Sequence, residues 1–324
     1  MVPQIQSSFA TNGLFANKHF STIYPALFRK VRLIYKRKRM ETPDGDFFDA
    51  DLLTGSGQNH LLLMHGLEGS SASGYIMGMA DSFNRQGFHV HALNFRSCSG
   101  EMNRKAISYH SGFTADVRWY ILQLLINEPK ARIYLCGFSL GGNALLKYLA
   151  EEGAGIAPQI IAACAFSVPV DLASSAEVLA SRENKVYMQR FLYSLKSKIK
   201  QKAALFPKQI DASYLSGVNN FRDFDNHYTA PLHGYVDAAD YWEQCSSKFV
   251  LHRITIPVLL LNAVNDPFLH PSCFPQAHEL NQANIFLEYP ANGGHVGFKT
   301  GWNGTYWIEQ RAADFFKTIS AYDE

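Results

Sequence analysis

The sequence is poor in several features that would place it in a class at once. Its 324 residues include five cysteines, an odd number at positions 98, 136, 164, 245 and 273, with no C-x-x-C pair. That spacing supplies neither a disulfide framework nor a zinc site, and it fits reduced thiols in a cytoplasmic protein. No run approaches the roughly 18 consecutive apolar residues of a membrane-spanning helix. The start, MVPQIQSSFATNGLFANKHF, lacks a basic segment followed by an apolar one, so no secretory leader is expected. Charge of one sign is lacking too. Thirty Lys and Arg against 28 Asp and Glu leave a net +2, which excludes a polyanion binder driven by overall charge. Internal repeats and low-complexity tracts are absent.

What remains is ordinary globular material, 47% hydrophobic and 18% charged, enough for one large α/β domain or two smaller ones. One charge run stands out, RKVRLIYKRKR at 29–39, with seven basic residues. It reads first as a solvated edge leading into a strand, and second as a surface for peripheral contact with an anionic membrane. No aromatic–basic interleaving or nucleic-acid motif accompanies it, so no nucleic acid is expected as a partner.

Strand and helix signals alternate along most of the chain. Residues 33–41 and 46–53 form a hairpin pattern around TPDGD. HLLLMHG (60–66), FHVHALNF (88–95), RIYLCG (132–137), QIIAACAFSVP (159–169), IPVLLLNAVND (256–266) and IFLEYP (285–290) are strands; most are continuous apolar runs, as in sheets buried on both faces. Helices are predicted over 75–86, 114–129, 143–153 and 305–319. The pattern predicts a mainly parallel central sheet flanked by helices. A helical insertion at about 172–250 interrupts it, with Met188, Phe191, Leu192, Leu195 and Ile199 on one helix face beside Arg190, Lys196, Lys198, Lys200 and Lys202. This reads as a cap, with an N-terminal extension over about 1–30 and one domain spanning 1–324.

GFSLGGN (137–143) sits between a strand and a helix, the setting of a G-x-S-x-G nucleophile elbow. A serine at such a strained turn needs small neighbours, and the N–H of the next residue, Leu140, faces any developing oxyanion. Serine is a weak nucleophile without a base held by a third group. Chain order places the acid and then the histidine downstream. Asp266, at the end of the strand in LNAVNDPF, and His295, in the glycine-rich loop NGGHVGF after the last strand, fill those roles. His270 and His278 are the fallback bases. MHGLEGS (64–70), directly after an apolar strand, supplies the second oxyanion donor, the N–H of Leu67.

These segments resemble the α/β-hydrolases, and more narrowly the YheT-like branch, with its abhydrolase-domain esterases and phospholipases and the yeast medium-chain acyltransferases. The resemblance is carried by NKHFSTIYP (17–25), NFRSCSGEMN (94–103), YHSGFTADVR (109–118), GFSLGGN, FRDFDNHYTAPLHGYVDAADYWEQCSS (221–247), LNAVNDPF and GGHVGF (293–298). Phe20, Ser21 and Ser97 depart from it, and 182–210 matches little. It implies the α/β-hydrolase fold, a Ser139–His295–Asp266 triad and no metal or organic cofactor. The expected activity is hydrolysis of small-molecule or lipid carboxylic esters, without an obligate protein partner. Transfer to an alcohol in place of water, an amidase or peptidase on the same triad, and a non-catalytic ligand binder on this fold are the rival readings.

Overall fold

The apolar runs of the sequence line up side by side. In the computed structural model, which describes residues 4–280, 284–302 and 305–321, nine strands form one sheet in the order β1-β9-β8-β7-β6-β4-β5-β3-β2. The strands are β1 Gln4–Ile5, β2 Lys36–Glu41, β3 Phe47–Leu53, β4 Asn59–Met64, β5 His89–Asn94, β6 Arg132–Phe138, β7 Ile160–Phe166, β8 Val258–Leu261 and β9 Ile285–Glu288. Pairing is antiparallel for β2–β3 and β3–β5 and parallel elsewhere. Residues 1–3 of the expected N-terminal extension lie outside the described residues.

Successive side chains of a strand point to opposite faces, and here both faces are dry. Leu62, Met64, Leu135, Ala163 and Leu260 pack in one layer with Val117 and Tyr120 of α3 (Ala115–Asn127) and Leu145 and Leu149 of α4 (Leu140–Glu152). Leu61, Leu63, Tyr134, Cys136, Cys164 and Leu259 pack in the other with Ile76 and Phe83 of α2 (Gly74–Asn84) and Phe315 and Phe316 of α11 (Trp307–Ser320). Double burial is why these strands read as unbroken apolar runs rather than alternating ones.

Between β7 and β8 lie α5 (Leu172–Ala180), α6 (Lys185–Leu205), α7 (Phe221–Phe224), a π-helical turn (Asp225–Thr229), α8 (Ala230–His233) and α9 (Ala238–Cys245); α10 (Ala277–Leu280) follows β8. The extension, for which the sequence suggested no element, contributes β1, paired to the free edge of β9, and α1 (Lys18–Phe28). The helix expected over 143–153 starts at Leu140, because its glycines fit the first turn against the sheet. No helix among the described residues is long and apolar enough to cross a membrane. In the basic run, Arg37 pairs with Asp51 at 2.8 Å and Arg39 with Asp49 at 2.9 Å and Glu101 at 2.6 Å. β2 is thus an edge strand guarded by charge, as edges exposed to other chains require.

Candidate active site

Ser139 has φ 54° and ψ −121°, on the left-handed side where a side chain is strained. Its N–H bonds Phe166 O at 2.9 Å and its carbonyl accepts the N–H of Asn143 at 3.1 Å, so the turn is pinned to β7 on one side and opens α4 on the other. The surrounding glycines have steric reasons. A Cβ on Gly137 would lie 2.6 Å from Gly141 O, one on Gly141 2.5 Å from Met64 O, and one on Gly142 2.6 Å from a Val168 methyl. Buried Asn143 ties the start of α4 to its surroundings, donating to Ser111 O (2.9 Å) and Cys245 O (2.8 Å) and accepting from Ser247 N–H (3.0 Å).

Opposite lies the loop after β4. His65 is fully buried; its Nδ1–H donates to Gly66 O at 2.7 Å and its Nε2 accepts the Phe95 N–H at 3.1 Å. Burial pushes its pKa down to about 4, so the imidazole is neutral and both bonds hold. The N–H of Gly66 goes to Tyr75 Oη (2.9 Å) and that of Glu68 to Tyr109 Oη (2.8 Å). Between them the N–H of Leu67 has no partner among the described residues, and neither has that of Leu140 at the first position of α4. Helix N-termini leave such donors open.

His295 and Asp266 meet across 29 residues, with Nδ1 2.9 Å from Oδ2 and 3.1 Å from Oδ1. Asp266 is 5% exposed, and the Phe268 ring lies 4.3 Å from the imidazole. The loop carrying His295 is held from three directions. Asn265 accepts the Gly294 N–H (3.0 Å) and donates to Ala16 O (3.0 Å). Ser167 Oγ accepts the Val296 N–H (2.9 Å). From α1, Thr22 Oγ1 accepts the N–H of His295 itself (2.9 Å), and Ser21 Oγ donates to Gly293 O (2.9 Å). A Cβ on Gly294 would come within 2.7 Å of Lys18 O, so these glycines allow the close approach of α1.

Leu67, Ser139, Leu140 and His295 line one cavity of about 1180 Å³, its open mouth included. Its far walls are apolar, with Leu172 and Leu179 of α5, Phe191 and Leu195 of α6, and Phe224 of α7. The face of α6 picked out by the apolar spacing thus covers the candidate nucleophile. Two of its basic residues turn inward. Lys198 Nζ binds Glu68 Oε1 at 2.7 Å and Cys98 Sγ at 3.2 Å. Lys202, 1% exposed, donates to Asn103 Oδ1 at 2.7 Å and to the carbonyls of Lys105 and Ile107. Burial lowers its pKa to about 8.

The structure brings together all five residues singled out from the sequence. His270 stays apart, exposed and bonded to its neighbour Ser272 at 2.9 Å, and His278 is exposed on α10. Sequence reasoning passed over Glu68, which follows Leu67 at φ 55° and binds Tyr109, Ser194 and Lys198. A glutamate inside an apolar loop motif was the available signal. It also passed over Asp225, buried in the π-helical turn between Thr229 Oγ1 (2.6 Å) and Trp242 Nε1 (2.8 Å), its pKa pushed up to about 6 by burial.

A family model described as alpha/beta hydrolase fold matches residues 59–301. Among curated proteins, Escherichia coli (strain K12) YheT, itself named as a candidate esterase, is 36% identical over 94% of this chain and 91% of its own length. Human phospholipase ABHD3 is 29% identical over 86% of this chain and 70% of its own. The monoacylglycerol lipase of Saccharomyces cerevisiae (strain ATCC 204508 / S288c) is 26% identical over 83% and 61%. Among solved structures, the Pyrococcus furiosus esterase Pf2001 superposes with a TM-score of 0.60 at 16% identity, covering 99% of this chain and 98% of its own, a likeness of fold.

Proposed function

The chain belongs to the alpha/beta hydrolase fold family and is related over nearly its whole length to YheT, and from that premise we propose that it hydrolyses carboxylic esters through Ser139, His295 and Asp266. One observation carries this reading: a serine on a strained turn, a carboxylate-paired histidine and two N–H groups without a partner among the described residues share one cavity. His295, held by Asp266 with the proton on Nδ1, has Nε2 free to take the proton of Ser139 as its oxygen attacks the ester carbonyl. The N–H groups of Leu67 and Leu140 receive the oxyanion, each worth about 2.7–4 kcal/mol in comparable sites. His295 returns its proton to the leaving alcohol, and water then repeats the cycle on the acyl-enzyme. Asp266 stabilises the imidazolium formed in each half-reaction.

The apolar cavity wall under α5 and α6 supports an acyl chain as the buried part of the substrate. The relatives named as a phospholipase and a monoacylglycerol lipase support lipid esters as the class. Each methylene buried there is worth about 0.8 kcal/mol, roughly a fourfold gain in kcat/KM. The test is a fluorophosphonate probe on wild type and Ser139→Ala, with p-nitrophenyl esters of graded length. Labelling and turnover confined to wild type, rising from acetyl to octanoyl, are expected. A wild type that neither labels nor turns over would remove the reading in favour of a binding protein. Equal rates at all lengths would remove the acyl pocket alone.

A further inference from the structure

Helix α1 turns an apolar edge outward. Its polar side faces the protein: Ser21 and Thr22 hold the His295 loop, and Ser21 is the only residue of the helix that is fully buried. Its apolar residues Phe20, Ile23, Tyr24, Leu27 and Phe28 recur at i, i+3, i+4, i+7 and i+8, which places them on one face. Phe20 and Tyr24 are half-buried against Phe15, their rings 5.1 and 5.2 Å from its own, and the outer edge of the face is turned to solvent, with Leu27 57%, Phe28 63% and Ile23 41% exposed. Trp302, 60% exposed, extends it: its ring lies 5.4 Å from Tyr24, whose ring lies 5.1 Å from Phe28. A helix docked only to bury apolar surface would not leave this edge exposed.

What covers this face is indicated by its composition and its border. Tryptophan and tyrosine favour the boundary between headgroups and acyl chains. Directly beyond the stripe come Lys30 and Arg32, both exposed and, like Lys36 and Lys38 on β2, without a carboxylate partner among the described residues, whereas Arg37 and Arg39 in the same run are each paired. Cations left uncompensated beside an apolar aromatic stripe match an anionic bilayer surface. They disfavour a second copy of the chain, since pairing two such faces would bring the same cations toward one interface. The N-terminal end of α1 is in turn bonded to the cap, through Lys18 and His19 to Glu183 and through His19 Nδ1 to Tyr187 Oη at 3.1 Å. A surface seated on α1 would therefore adjoin both the cap and the loop of His295.

We propose that the outward stripe of α1 together with Trp302 is a docking face for a lipid bilayer containing anionic lipid, with Lys30 and Arg32 as its electrostatic border. The inference rests on the lipid-ester reading for its purpose, but its test does not use hydrolysis. The full chain is floated with vesicles of phosphatidylcholine alone and of phosphatidylcholine mixed with phosphatidylglycerol, while tryptophan fluorescence is followed. Binding to the mixed vesicles with a blue shift is expected. Leu27→Asp with Phe28→Asp, both at exposed positions, is expected to weaken it on the order of a hundredfold. Lys30→Ala and Arg32→Ala are expected to weaken it about fivefold each and to flatten its salt dependence. All three are expected to keep wild-type turnover of a water-soluble ester and the wild-type melting temperature. Absence of binding, or binding that survives Leu27→Asp with Phe28→Asp, overturns the proposal. So does a dimer in solution that this double variant dissociates, which would assign the face to a second copy. Failure of ester turnover with intact vesicle binding would instead remove the hydrolase reading and leave the docking face standing.

Discussion

A methyl group has no place at Gly141, where a Cβ would press on the carbonyls of Met64 and His65. Gly141→Ala must push the first turn of α4 away from the loop after β4, separating the N–H of Leu140 from that of Leu67. The expected result is a loss of about 1–3 kcal/mol of stability, as for other overpacked sites, with a greater proportional loss of fluorophosphonate labelling; denaturant titration beside labelling rates checks it. Asn265 works at the same scale but through position. It bridges the strand end that carries Asp266 to Gly294, one residue before His295. Asn265→Ala is expected to lower kcat by up to about a hundredfold, the usual penalty for a reacting group displaced by about 1 Å. KM and the melting temperature should stay near wild type. A fall in KM affinity with kcat intact would mean that Asn265 serves the substrate and not the imidazole.

At the scale of elements, the cap helix and the loop after β4 are clamped on one side chain. Ser194 and Lys198, one turn apart on α6, both bind the Glu68 carboxylate, which also accepts from Tyr109 Oη at 2.9 Å. Side-chain exposure is 6% for Glu68 and 20% for Lys198. Removing one partner of a buried pair strands the other. Lys198→Met is therefore expected to loosen α6 by on the order of 3 kcal/mol, read as faster hydrogen exchange over 185–205. Adding Glu68→Gln should restore part of the protection, because no charge is then left unpaired. Unchanged exchange in Lys198→Met would show that the apolar face of α6 holds the cap without the clamp.

For the molecule as a whole, buried titrating groups set how stability responds to acid. Burial lowers the pKa of His65 to about 4 and that of His91 to about 3, from 6.5. A base depressed on folding contributes stability that is complete above about 6.5 and is lost as pH falls toward the folded value. Asp225 acts in the opposite sense. Burial raises its pKa from 3.8 to about 6, so its contribution is present below about 4 and is lost as pH rises through 6. His233, lowered to about 4, and His110, lowered further, act in the same sense as His65 and His91 through burial. Between about pH 6.5 and 5 each of these four histidines costs on the order of 1–2 kcal/mol while Asp225 returns about 1, leaving a net loss of stability toward acid. Urea titrations near pH 7 and about pH 5 should show that loss. Asp225→Asn should deepen the fall toward acid, since the opposing group is gone; an unchanged slope would mean that Asp225 titrates normally.

Much of the architecture and the core of the candidate site could be read along the chain because local rules govern them. Strands buried on both faces must be apolar throughout, and a strained serine turn must be flanked by glycine. Chain order then leaves few choices for the acid and the histidine, which is how Ser139, Asp266 and His295 become candidates without coordinates. Tertiary structure decided what depends on groups far apart in sequence. Thr22 and His295 meet across 273 residues, and Lys198 and Glu68 across 130. No periodicity records such encounters. The same holds for α1, whose apolar spacing would be read as a face turned to the core. Only its polar bonds to the His295 loop, fixed by the packed fold, turn the edge of Ile23, Leu27 and Phe28 outward.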